Sequence, residues 1–301
     1  MHQRAFEISK TLYPFDSNWV EIKDHVIHYI DEGSGPVIVM FHGNPSWSLL
    51  YSPLIQRLRH KFRCIAPDLP GFGLSSKPTY PNYGYTPKEH SDIMADFLEA
   101  LNLDSFSIFV QDWGGPIGLS ASLNYADSVK SVILGNTWAW EFDSASEVGQ
   151  GARSFSEKMG SDLMREKIMK KNSFVNISMG QLTQGYKSYA PDLVDEVKEA
   201  YRLPFPTPES RVPTWVFPKQ IIESGPWLSE LDQNLNLLLE KPTLLIWGEQ
   251  DPVFPTVVRE SWKQRLKNYQ ELALPSANHF FRSDEPDQIA GAIEKLFDST
   301  T

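Results

Sequence analysis

The sequence predicts a doubly wound α/β sheet carrying a helical insertion. Three observations support this: short continuous apolar runs of strand length, helical patterns between them, and one long stretch where that alternation stops. Residues 19–32 alternate around Lys23-Asp24-His25, with Trp19, Val20 and Ile22 before it and Val26, Ile27, Tyr29 and Ile30 after it, which reads as a hairpin. Pro36-Val37-Ile38-Val39-Met40-Phe41 then runs apolar between Gly35 and His42-Gly43, as a strand buried on both faces of a parallel sheet does. Similar runs recur at 62–66, 106–110, 132–134 and 243–247, with a weaker one at 271–274. Between them, Thr86-Pro87-Lys88-Glu89 fits a capping box with proline at the first helical position. Ile93, Met94, Phe97, Leu98 and Leu101 form one apolar face behind it. A further helix is expected from near Asp284, turning Ile289, Ile293 and Leu296 inward. Residues 137–240, rich in Ser, Lys, Glu and Pro with scattered large aromatics, break the rhythm and read as the helical insertion. Pro204, Pro206, Pro208, Pro213 and Pro218 are expected to mark its closing boundary, a region where regular helices cannot run.

Composition excludes several classes of function. With 301 residues and 41% apolar side chains the chain can bury a substantial core. A net charge of −10, with no basic cluster longer than Lys170-Lys171, lacks the footprint that nucleic acid or anionic membrane requires. The single cysteine, Cys64, cannot form an internal disulfide, and no Cys/His pairs have zinc-ligand spacing. The N-terminal stretch from Met1 to Glu7 is no signal peptide and no run approaches 18 apolar residues, so a cytoplasmic location is expected.

The chemistry concentrates at 106–118, where an apolar strand delivers Asp112 into Trp113-Gly114-Gly115-Pro116 and a helix. That context is a nucleophile elbow, with an acid where serine often stands and Val110 in place of the first glycine. The competing reading is a helix-capping aspartate. Two further segments shift the balance: Trp247-Gly248-Glu249-Gln250-Asp251, just beyond an apolar strand, and Ala277-Asn278-His279-Phe280. A lone histidine is more often structural, but nucleophile, acid and histidine in this order, each at one predicted sheet edge, form the chain order of a hydrolase triad.

With Phe41-His42-Gly43-Asn44-Pro45-Ser46-Trp47, the run 66–75 containing Asp68-Leu69-Pro70-Gly71-Phe72-Gly73, and Gln111-Asp112-Trp113-Gly114-Gly115, the sequence resembles a haloalkane dehalogenase of the α/β-hydrolase superfamily. The resemblance covers most of the chain. It implies an eight-stranded, mostly parallel sheet with residues 1–136 and 241–301 as core and 137–240 as cap. It also implies that Asp112 displaces halide to give an alkyl ester, which His279 hydrolyses through water while Asp251 supports the imidazolium. Asn44 and Trp113, uncharged N–H donors, would hold the leaving halide. An acid suits this step because a free aspartate, with a pKa of about 3.9, is ionised at neutral pH and needs no base. Asn136 stands where some members carry the triad acid and cannot balance an imidazolium, so Asp251 is preferred over Glu249 and Glu141. No cofactor or metal is expected. The expected partners are a small apolar halogenated substrate, water and the halide product, and the resemblance leaves room for a homo-oligomer.

Of the insertion's aromatics, Trp138, Trp140, Phe142, Phe155, Phe174, Trp215 and Phe217 are candidates to line an apolar chamber, though most are expected in its own core. The nearest rival is an epoxide hydrolase, which needs paired tyrosines in the insertion; Tyr186, Tyr189 and Tyr201 are available. Asn44 argues against it, since an aromatic is usual there. A haloacid dehalogenase needs arginine where Trp113 stands, and a nicotinamide dehydrogenase needs a spaced-glycine loop that is missing. A noncatalytic ligand-binding hydrolase scaffold remains the alternative from another class.

Overall fold

A computed structural model describes residues 2–299. Met1, at the head of the N-terminal stretch considered above, and Thr300 and Thr301, at the end of the second core segment, lie outside the described residues. One eight-stranded sheet organises the chain: β1 (Asn18–Ile22), β2 (His25–Glu32), β3 (Val37–Phe41), β4 (Arg63–Pro67), β5 (Phe106–Gln111), β6 (Val129–Gly135), β7 (Thr243–Gly248) and β8 (Tyr269–Leu274). The order is β1-β2-β4-β3-β5-β6-β7-β8, with β1 and β2 antiparallel and β3 to β8 all parallel. Every residue of β5 and β7 is buried, as their unbroken apolar runs require. The hairpin turns on two residues, Lys23-Asp24, and Lys23 takes the left-handed φ of +51° that such a tight turn needs.

Helices cover both faces: α1 (Ser52–Leu58), α2 (Pro87–Leu101), α3 (Gly114–Ser122) and, after the insertion, α12 (Thr256–Arg265) and α13 (Pro286–Asp298). The capping box is present at α2, with both the Thr86 and Glu89 side chains bonded across the helix start. Eight α-helices lie between β6 and β7: α4 (Glu147–Gly160), α5 (Asp162–Lys171), α6 (Ser173–Leu182), α7 (Gln184–Tyr189), α8 (Val194–Arg202), α9 (Val212–Glu223), α10 (Gly225–Asn234) and α11 (Asn236–Leu239).

The prolines do not mark a boundary free of regular helix. Pro213 and Pro218 lie inside α9, and two more helices follow it before β7. Pro213 falls in the first turn, where its missing N–H has no intrahelical partner to lose. Pro218 does remove a bond, but burial of Val212, Trp215, Val216 and Phe217 and packing against α4 hold the helix together. Among the described residues no helix is long and apolar enough to cross a membrane.

Candidate active site

Parallel strands end together, so the loops after β3, β5, β6, β7 and β8 meet at one edge of the sheet. Asp112 follows β5 with φ +52°, a left-handed value few non-glycine residues adopt. Its surroundings hold it there. Its N–H donates to the Asn136 carbonyl (3.1 Å), and its own carbonyl accepts from the Gly115 N–H (2.9 Å) and the Thr137 hydroxyl (2.7 Å). A Cβ at Gly114 would come within 2.1 Å of the Phe41 carbonyl, so only glycine lets α3 start this close to β3. The side chain caps no helix; Trp113 occupies that position.

Asp112 Oδ1 accepts the Asn44 backbone N–H at 2.7 Å. Oδ2 lies 3.5 Å from Nε2 of His279. On the far side of the ring, Nδ1 sits 2.8 Å from Asp251 Oδ2, which makes Nδ1 the donor nitrogen. Asp251 Oδ2 also accepts from the Asn136 amide (2.7 Å), and Oδ1 accepts the Val253 N–H (2.6 Å). Asp251 and His279 are both buried. Burial opposes charge on the ring, but Asp251 and Asp112 outweigh it and raise the His279 pKa to about 9.

Asn44, Asp112, Trp113 and His279 line a cavity of about 670 Å³. Among the described residues, neither the Asn44 amide nitrogen nor the Trp113 indole nitrogen is bonded to a protein acceptor, which leaves both N–H groups for a ligand. All five site residues expected from the sequence therefore come together. The competing acids do not: Glu249 is exposed and pairs with Arg259 (2.9 Å), while Glu141 is exposed and accepts from Ser229 (2.6 Å).

Of the expected aromatics, Trp138, Phe142, Phe155 and Phe174 line the cavity. Trp140 instead packs on Trp262, Trp215 is bonded to the Gly160 carbonyl, and Phe217 wedges between Trp113 and His90. None of Tyr186, Tyr189 and Tyr201 lines it, which removes the proton donors an epoxide hydrolase needs.

Two functional neighbours were not anticipated. Asn136, which the sequence marks only as unable to serve as the triad acid, fastens Asp251, and its Oδ1 accepts the Gly248 N–H (2.7 Å). The Gln111 amide nitrogen lies 2.8 Å from His279 Nε2, where it donates to the neutral ring. Turned over, the same amide presents Oε1, which has no other partner, to the protonated ring. A polar amide closing an otherwise apolar strand was the available signal.

The fold and this edge of the sheet define an α/β-hydrolase. A family model of the alpha/beta hydrolase fold matches residues 36–286. Haloalkane dehalogenase 2 of Mycobacterium tuberculosis is 39% identical over 288 residues, 95% of this chain and 96% of that protein. The cis-3-alkyl-4-alkyloxetan-2-one decarboxylase of Shewanella oneidensis is 30% identical over 299 residues, 96% of this chain and 91% of that one. A point mutant of the haloalkane dehalogenase DatA from Agrobacterium tumefaciens shares the fold with a TM-score of 0.82 at 23% identity, covering 96% and 99% of the two chains. Within the α/β-hydrolase family, the chain belongs to the haloalkane dehalogenases.

Proposed function

We propose that the chain hydrolyses haloalkanes to alcohol and halide through an ester on Asp112, with residues 137–240 as cap over a core of 1–136 and 241–301. The observation that carries this is the unequal treatment of the two Asp112 oxygens: Oδ1 is held by a backbone N–H at 2.7 Å, while Oδ2 has only the looser 3.5 Å contact with His279 Nε2 and is the oxygen we assign to carbon. Oδ2 attacks the halogen-bearing carbon, the carbon–halogen bond breaks, and the halide departs with the electron pair. Asn44 Nδ2–H and Trp113 Nε1–H meet the growing charge as neutral donors that bind the ion without a fixed cation to retain it.

Ester formation removes the Asp112 charge that supports the imidazolium. The His279 pKa then falls and the ring gives up its proton, becoming the base the second step needs. Nε2 takes a proton from water as its oxygen adds to Cγ, and Oδ1 carries the negative charge under the Asn44 N–H. Collapse expels the alkoxide, which takes the proton back from His279. The water oxygen stays in the carboxylate, and the overall reaction releases one proton and one halide. No cofactor enters, and a reducing, cytoplasmic setting accords with the lone, buried Cys64.

The decarboxylase relative and the cavity's size favour one other substrate class, dialkyl-substituted four-membered lactones. Incubation with bromoalkanes, epoxides and such lactones in heavy-oxygen water, over many turnovers, separates these. Halide release with heavy oxygen in the Asp112 peptide is expected. Turnover of the lactone alone, or an unlabelled peptide, would overturn the proposal.

A further inference from the structure

Gln111 closes β5 one residue before the nucleophile, and it is wholly buried. Its amide nitrogen touches His279 twice, 2.8 Å from Nε2 and 3.2 Å from the backbone carbonyl, and Oε1 has no partner. Asp112 Oδ2 lies farther from the same ring nitrogen, at 3.5 Å. Charge acts on the ring from Asp251 in the loop after β7 and from Asp112 in the turn after β5, while Arg282, three residues on from His279, acts on Asp112.

A primary amide offers a donor and an acceptor at nearly the same point, a half-turn apart. Nε2 is an acceptor in the neutral ring and a donor in the imidazolium, so Gln111 can bond it in both states. Turning the amide gives up the neutral bond to the His279 carbonyl for a charge-assisted one to Nε2–H, and charge-assisted bonds are roughly twice as strong. At 2.8 Å that acceptor is better placed than Oδ2, which at 3.5 Å lies beyond the normal N–H···O range. The difference bears on rate because Oδ2 is the attacking oxygen. A hydrogen bond donated to it stabilises the ground state and has to be given up as carbon approaches.

We propose that Gln111 is a positioning residue whose amide oxygen accepts the hydrogen bond from protonated Nε2 of His279 during ester formation, and so keeps that N–H off the attacking oxygen of Asp112. The role deepens the dehalogenation reading and rests on it. In that step the Oδ2–carbon bond forms, the carbon–halogen bond breaks, the halide leaves with the electron pair, and the ring keeps its proton. Once the ring is neutral, the amide N–H, which has the His279 carbonyl as a second partner, yields the Nε2 lone pair to water.

Single-turnover mixing of the full chain, in excess over 1-bromobutane, tests this, with ester formation followed by quenched mass spectrometry from pH 6 to 10. Gln111→Met fills similar space with no strong donor or acceptor. Its ester formation should be about tenfold slower than that of the wild type at pH 7, and should approach the wild type as pH rises through about 9, where the ring loses its proton. Gln111→Glu keeps an acceptor at that point. It should recover most of the lost rate at pH 7 and slow ester hydrolysis instead, since its fixed charge holds the proton on the ring. A deficit in Gln111→Met that is the same at every pH is what packing alone would give and would overturn the proposal, as would equal rates in all three proteins. If Gln111→Met does not fold, Gln111→Glu decides: slow ester formation there with unchanged hydrolysis rejects the role. A wild type that forms no ester with any haloalkane rejects the function itself.

Discussion

Trp113 and His279 each make a testable demand at the scale of single residues. Trp113→Phe keeps an aromatic ring against Trp138 and Phe217 but gives up the indole N–H together with part of the ring's volume. By the usual effect of removing one donor to a developing charge, kcat for halide release should fall about a hundredfold, with folding intact by circular dichroism. His279→Gln removes the base after the ester has formed, so mass spectrometry should find the protein heavier by one alkyl group. The pH dependence has a definite sign. Because the folded pKa is raised to about 9 from 6.5, His279 contributes stability that is full below pH 6.5 and is lost as pH rises through about 9. Melting temperatures from pH 6 to 10 should show that loss in the wild type and a flatter profile in His279→Gln.

At the scale of elements, the decisive feature is how the ends of β6, β7 and β8 interlock. Asn136 takes φ +29° after β6 and reaches across to both Gly248 and Asp251, so the acid from one strand is set by an amide from the next. Asp251→Asn should preserve this packing but remove the charge opposite the imidazolium, slowing ester hydrolysis on the order of 10⁴-fold, as loss of a triad acid does. Stopped-flow release of a first halide followed by stalled turnover is the expected trace, whereas Glu141→Gln and Glu249→Gln should turn over normally. Strands were legible where apolar runs were unbroken. β6 extends past the expected 132–134 to Val129–Gly135 because Lys130, exposed, and Ser131 interrupt the run without ending the pairing. β8 read weakly because it is an edge strand whose residues are largely exposed. Pro218 misled because a buried helix tolerates a missing bond that an isolated one would not.

Over the whole molecule, substrate range follows from the cavity and its rim. Exposed Phe155, Ile177, Val253 and Val257 all line the opening, so a chain longer than the catalytic floor meets apolar surface up to the mouth. For 1-bromoalkanes, kcat/KM should rise about fourfold per added methylene, from about 0.8 kcal/mol of burial each, until the chain reaches that rim. Gly151 of α4 lines the cavity, and a Cβ there meets nothing within 4 Å. Gly151→Phe should narrow the space and lower the ratio of decyl to butyl turnover. Replacing an exposed helical glycine should also leave the melting temperature no lower.

Residue types in order along the chain were enough to establish a parallel sheet, an inserted helical region, an acid at a sharp turn and an acid and histidine after it. Those properties are local, because periodicity and turn chemistry are written in neighbouring residues. Tertiary structure alone decided which acid faces His279, which aromatics border the cavity, and that Gln111 and Asn136 brace His279 and Asp251. Such choices depend on where separate strands end relative to one another, and a distance between side chains more than a hundred residues apart has no imprint on either segment.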